Sequence, residues 1–214
     1  MLSLVLSHTP QVVFLTIVFY IRIRDRLFML RRGPLLGPIL QHPDDIDSVR
    51  CLFLQSKFEC CKQLIEPALL AVTPAGFVEL PLETLALQSN FILYLDHVTD
   101  VFVWVGKQAK ESAQSEQLRQ TCVQLFQHQT AHRFPSPYFM SFNEGDSMSR
   151  WLLCRLVPSH KDPPEIQEKL FPSIKLLGEQ QRRALVSKFH YTDDLSYYQY
   201  YLEYIDEKAQ FWSQ

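Results

Sequence analysis

The sequence has little surplus of either charge: 21 lysines and arginines stand against 23 acids over 214 residues, for a formal net charge of −2. Its basic residues gather only in short knots such as "IRIRDR", "LRRG" and "QQRRALVSK". Phosphate backbones require a clustered cationic surface, so nucleic acid is not the expected main partner. The motifs GxxxxGK[ST], GxGxxG and GxSxG are all missing, so nothing is built to cradle a nucleotide or to form an acyl-enzyme. The five cysteines, Cys51, Cys60, Cys61, Cys122 and Cys154, are odd in number and contain no CxxC pair. That argues against a disulfide framework and for free thiols in a reducing, cytosolic compartment. His128 and His132 stand four apart near a helix end, but Gln129 occupies the place of the acid that a zinc-binding helix needs, so both read as surface histidines. No metal site is expected.

What is present is an ordinary globular composition, 47% hydrophobic and 13% aromatic, long enough for one large domain or two small ones. The first stretch, "LVLSHTPQVVFLTIVFYI", is nearly long enough to span a bilayer and is followed by Arg22, Arg24 and Arg26. It reads as a membrane anchor, as part of a core completed elsewhere, or as a start outside the fold. "HPDDIDSVRCLFLQSKFECCKQLIEP" predicts two short helices parted at Ser56, the first capped by Asp44 or Asp45, with Ile46, Val49 and Phe53, then Phe58, Cys61 and Ile65, facing inward. "ALLAV" and "FVELP" read as strands, and "FILYLDHVTDVFVWVG" as a β-hairpin apolar on nearly every position, hence covered on both faces. "KESAQSEQLRQTCVQLFQHQ" is one amphipathic helix, with Ala113, Leu118, Cys122 (or Thr121), Leu125 and Phe126 on its apolar side. A strand from Tyr138 to Phe142 and another from Arg150 to Val157 follow. From the hairpin onward the order is strand, strand, helix, strand, strand, so the fold class is α+β, a small sheet with a helix laid across it. A proline-rich connector then leads to two tail helices, the last with Leu195, Tyr198, Leu202 and Ile205 as its apolar stripe. Its tyrosines (Tyr197, Tyr198, Tyr200, Tyr201, Tyr204) lack the basic interleaving of a base-stacking platform and are expected to pack.

One position raises a functional question. In "FNEGDSMSRWLLCRLVPSH" a polar turn runs straight into an apolar stretch, with Arg150 at the junction. An arginine at the mouth of a turn, backed by a rigid element, can present its planar guanidinium to a partner's phosphates. The competing reading is a salt bridge to Glu144 or Asp146 in the same turn.

The segments "LYLDHVTDVFVWVG", "RFPSPYFMSFNEGDSMSRWLLCRLVPSHKDPP" and "YTDDLSYYQYYLEYIDE" resemble the C-terminal end of the SEC23 family, inner-shell subunits of the COPII coat at endoplasmic reticulum exit sites. "MLRRGPLLGPILQHPDDIDSVRCLFLQSKFECCKQLIEPALL" is similar to the end of that family's helical domain. The resemblance runs from about Phe28 to the end. It implies a gelsolin-like domain with a small central mixed sheet and packed helices, preceded by a short helical segment and followed by C-terminal helices. The divisions expected are 1–27 outside the fold, 28–74 as the helical remnant, 75–160 as the gelsolin-like domain, and 161–214 as connector and tail helices packing on the sheet.

By the same resemblance, Arg150 is the arginine finger that enters the active site of a Sar-family small GTPase and speeds GTP hydrolysis, with Met148, Ser149 and Trp151 as partner-binding neighbours. The chain would then be a GTPase-activating accessory in endoplasmic reticulum to Golgi transport, not an enzyme with its own active site. Its implied partners are the GTPase, the second inner-coat subunit and the outer-coat subunit, and its implied place is cytoplasmic, peripheral on endoplasmic reticulum membrane and vesicles. The family's zinc module, trunk and β-sandwich are not in this sequence, so no cofactor is expected here and the chain reads as truncated. Arg155, in the same run but past the turn, is expected to matter far less than Arg150. The alternative is a gelsolin-type actin-binding module, because one fold serves several functions.

Overall fold

The computed structural model describes residues 26–37, 42–187, 196 and 198–200; the first 25 residues, including the whole apolar start, lie outside them. Residues 26–32 are helical, and α1 (Pro43–Gln55) and α2 (Phe58–Ile65) follow, broken at Ser56 as the change of stripe predicts. The cap of α1 differs from expectation. His42 takes that role, its Nδ1 accepting from Asp44 N at 3.3 Å, while both acids sit in the first turn, where the helix dipole favours them. Val49 and Leu64 are buried, but Phe58 is exposed, because the inward face of α2 runs through Cys61 and Leu64 instead.

The centre is a mixed five-stranded sheet. Its strands are β1 (Ala68–Thr73), β2 (Gly76–Glu79), β3 (Ile92–Asp96), β4 (Asp100–Val105) and β5 (Tyr138–Asn143), in spatial order β2-β1-β3-β4-β5. All neighbours are antiparallel except β4 and β5, which run parallel and so need the helical crossover between them. β1 pairs with both β2 and β3, so the sheet begins at Ala68 and reaches back across the division expected at 74/75.

The strict alternation of the strands divides the core into two layers. Leu69, Ala71, Leu93, Leu95, Phe102, Trp104 and Phe142 face one side, where Leu152, Leu156, Phe171, Ile174 and Leu185 cover them. Val72, Ile92, Tyr94, Val101, Val103 and Val105 face the other, against Leu118, Cys122, Leu125 and Phe126. Each such side chain contributes about 1.5–3 kcal/mol relative to exposure, which is why β3 and β4 carry no polar face. The covering helix on the second side is broken into α3 (Lys107–Glu111) and α4 (Ser115–Thr130), not continuous as predicted. Ser112 makes the break: its Oγ accepts from Gln114 N at 3.3 Å and its carbonyl from Ser115 N at 3.0 Å, a local alternative to the helical ladder that leaves Ala113 exposed.

The expected strand from Arg150 to Val157 is instead a 3₁₀ turn (Ser147–Ser149) and a short helix, α5 (Arg150–Leu153). Leu152 and Leu156 are buried beneath the sheet and Arg155 is buried beside them, while Cys154 is only half-buried, so the run obeys helical i, i+3, i+4 spacing. Only its last residue is strand-like, Val157 bridging Glu83. Beyond it, α6 (Pro164–Leu170) and α7 (Glu179–Ser187) complete the first layer, with Leu185 in the core. Of the tail stripe, Leu195, Leu202 and Ile205 lie outside the described residues and Tyr198 is exposed. Tyr200 packs edge-on against Phe28 with ring centroids 5.2 Å apart.

Candidate functional site

The turn ahead of Arg150 is anchored before it begins. Where β5 ends, Glu144 N donates to Val105 O at 2.8 Å, extending the ladder by one residue. The Glu144 carboxylate accepts from Lys107 N at 2.8 Å and from Ser89 Oγ at 3.0 Å, which ties the turn to the start of α3. Gly145 has φ +94, a conformation that a side chain disfavours. Asp146 closes the turn: its N donates to Asn143 O at 3.0 Å and its Oδ2 accepts from Asn143 N at 2.6 Å. Ser149 Oγ then donates to Asp146 O at 2.5 Å and starts the short helix.

Both acids that could have held Arg150 are thus engaged with backbone amides. Arg150 is exposed, and among the described residues none hydrogen-bonds or ion-pairs with its guanidinium. Met148 (47% exposed) and Trp151 (38%) flank it, Ser149 is half-buried, and Leu152 is fully buried as the plug that seats α5. The four expected site residues therefore lie in one continuous turn and helix start. A free cation between two exposed apolar side chains can enter a concave anionic site and leave the flanking pair to meet its rim.

Arg155 is not the bystander expected from its position past the turn. It is buried, and its guanidinium makes a planar set of contacts with three elements. Nη2 donates to Asp100 Oδ2 at 2.8 Å, Nε donates to His97 Nδ1 at 3.1 Å, and Nη1 donates to Trp151 O at 2.5 Å. Its Cζ also lies 4.7 Å from the centre of the Phe102 ring. The Trp151 carbonyl is one of the acceptors a helix leaves unpaired at its C-terminal end, so Arg155 satisfies α5 from outside.

His97 continues this chain of contacts. Because Nδ1 accepts from Arg155, the proton sits on Nε2, which donates to Leu64 O in α2 at 3.1 Å. Burial first, and the Arg155 charge second, push the His97 pKa down to about 4, so the ring is neutral at physiological pH. Next to it Val98 has φ 64, unusual for a β-branched residue, and is held by Asp96 Oδ1 accepting from Val98 N at 2.9 Å and by packing on Leu35, Val49 and Leu64. Arg133 completes the turn with a two-pronged pair to Asp96 at 2.8 and 2.7 Å. The available sequence signal for Arg155 was a lone cation with apolar neighbours on both sides in "LLCRLV". A buried arginine is rare unless paired, but its one acid, Asp100, is 55 residues away in sequence.

Cys154 is half-buried, and burial raises its thiol pKa. His128 and His132 are exposed, and among the described residues no three or more His, Cys, Asp and Glu side chains are grouped to hold a metal ion. No helix among the described residues is long and apolar enough to cross a membrane.

The Gelsolin repeat family matches residues 76–151, most of the sheet together with the turn and the first residues of α5. "Protein transport protein SEC23 A" of Arabidopsis thaliana is 41% identical over 175 residues, which is 81% of this chain and 20% of that protein's length. Among solved structures, the human COPII-coat protein Sec24c superposes with a TM-score of 0.50 at 15% identity, over 62% of this chain and 22% of that one, a likeness of fold. A chain in the crystal structure of the Thorarchaeota 2DGel3/rabbit actin complex matches at 23% identity over 41% of this chain and 44% of that one; its TM-score of 0.35 is too low to carry an argument.

Proposed function

We propose that this chain, 41% identical over 175 residues to a SEC23 subunit, is the C-terminal part of a SEC23-type COPII coat component and supplies Arg150 to the active site of a Sar-family small GTPase. The observation that carries the reading is the state of Arg150: exposed, unpaired among the described residues, and presented from a turn whose own acids are occupied elsewhere. The chain spans 20% of the SEC23 A sequence it matches, so the remaining contacts with GTPase, second inner-coat subunit and outer coat would come from the rest of such a subunit. The assembly would sit on the cytoplasmic side of endoplasmic reticulum membrane as a peripheral layer.

In this reading the chain does no covalent chemistry. During phosphoryl transfer, negative charge spreads over the equatorial oxygens and the leaving oxygen, and a guanidinium placed there stabilises the transition state more than the bound GTP. A finger of this kind supplies about three to five orders of magnitude in rate. The turn serves preorganisation: Glu144 and Asp146 hold its backbone before the partner arrives, so less order has to be imposed on binding. Met148 and Trp151 would contact the GTPase beside the nucleotide.

The test is a chimera in which the matching segment of the Arabidopsis relative is replaced by this chain's residues. The chimera is expected to stimulate GTP hydrolysis by the Sar-family GTPase to within about tenfold of the parent subunit, since the finger turn is intact. A chimera that binds the GTPase without stimulating it would overturn the proposal.

A further inference from the structure

We infer that Arg155 is a positioning residue for the finger: through Asp100, His97 and the Trp151 carbonyl it fixes the direction in which α5 presents Arg150. The inference rests on the finger reading above and adds the device that sets its geometry.

The argument is one of bond count and lever arm. α5 is four residues long, too short to hold itself in water, since a helix of that length closes barely one turn. Its upstream side is held by the Glu144 and Asp146 turn, and its buried face by Leu152. Those contacts choose the inward face of α5, and Cys154 Sγ donates to Trp151 O at 3.2 Å within the same short segment, but none of them ties the helix by a directed bond to the β3–β4 turn. Arg155 does, because Nη1 grips the carbonyl of Trp151, the residue next to Arg150, while Nη2 and Nε are fixed to Asp100 and His97 at the β3–β4 turn. His97 in turn is bonded to Leu64 O, so α5 is registered against sheet and helical layer together. A planar group with three directed bonds defines an orientation, which a point charge cannot. A tilt that displaces the Arg150 guanidinium by an ångström is enough to cost about a hundredfold in rate.

The experiment uses Arg155→Lys, which keeps the charge and one bond to Asp100 but loses the fork, with Asp100→Asn as a second variant that breaks the same lock from the other side. Arg133→Lys is the control, because Arg133 is likewise a guanidinium tied to the β3–β4 turn, by a two-pronged pair with Asp96, but makes no bond to α5. On the intact chain, amide hydrogen exchange at Cys154, Arg155 and Leu156 is expected to rise at least about tenfold in both lock variants, with β3 and β4 unchanged. In the chimera, single-turnover hydrolysis is expected to fall at least about tenfold, with the half-saturating concentration within about twofold of wild type. Arg150→Ala and Arg150→Ala/Arg155→Lys are expected to be equally inactive, since a positioning residue has no effect once the finger is gone. Unchanged exchange in α5, or hydrolysis lost equally in Arg133→Lys, overturns the inference while leaving the finger intact. Wild-type hydrolysis by Arg150→Ala overturns the finger reading itself, and the positioning role with it. If Arg155→Lys does not fold, the same outcomes are read from Asp100→Asn.

Discussion

A neutral imidazole buried beside a guanidinium makes the protein sensitive to acid. His97 titrates near 4 in the folded state against about 6.5 when unfolded. Between those values the unfolded chain binds a proton that the folded chain refuses, so stability is lost as pH falls from 6.5 toward 4 and is unaffected by this group above that window. Going from about pH 7.5 to about pH 5, wild type should lose roughly 2 kcal/mol more than His97→Gln in urea denaturation. Equal losses would mean that His97 is not held neutral by its surroundings. Arg150 behaves in the opposite way. Exposed and unpaired among the described residues, it contributes little to the fold, and Arg150→Ala is expected to stay within about 0.5 kcal/mol of wild type.

At the scale of elements, α5 shows where apolar patterning stops being decisive. "RWLLCRLV" is short and apolar enough to satisfy either a strand or a helix, and length and flanking residues do not separate the two. Burial does: Leu152, Arg155 and Leu156, spaced i, i+3 and i+4, are inside, while Cys154, which a strand would bury with Leu152 and Leu156, is only half-buried and Trp151 is out. Leu152→Ala should therefore cost about 2–5 kcal/mol and Trp151→Ala less than about 1 kcal/mol by urea denaturation, the reverse of what a strand burying its odd-numbered residues would give. The hairpin was legible for the converse reason, because ten apolar positions around "DHVTD" leave no polar face for a surface helix. The left-handed Val98 was not legible, since nothing in the sequence marks a valine for φ 64; it is sustained by Asp96 and by helical-layer residues distant in sequence. The turn residues Gly145 and Asp146 were visible as a turn, but the engagement of Glu144 with Ser89 and Lys107, which frees Arg150, depends on tertiary placement.

In the whole molecule, a sheet covered on both faces serves as a rigid base, and the turn that carries Arg150 stands at the end of its parallel edge strand β5. The helical layer, the hairpin turn and α5 meet at His97 and Arg155, so the direction of one exposed side chain depends on contacts from three parts of the chain. That dependence fixes the backbone from which an exposed side chain, without a partner among the described residues, projects. The most direct test is single-turnover GTP hydrolysis by the Sar-family GTPase with saturating chimera, comparing wild type, Arg150→Ala and Arg150→Lys. A group that acts on transition-state charge should leave binding within about twofold and lower the hydrolysis rate by about a thousandfold or more in Arg150→Ala. Arg150→Lys should recover little, because an ammonium lacks the planar fork. Equal rates for Arg150→Ala and wild type would contradict the account and leave Arg150 as an ordinary surface charge.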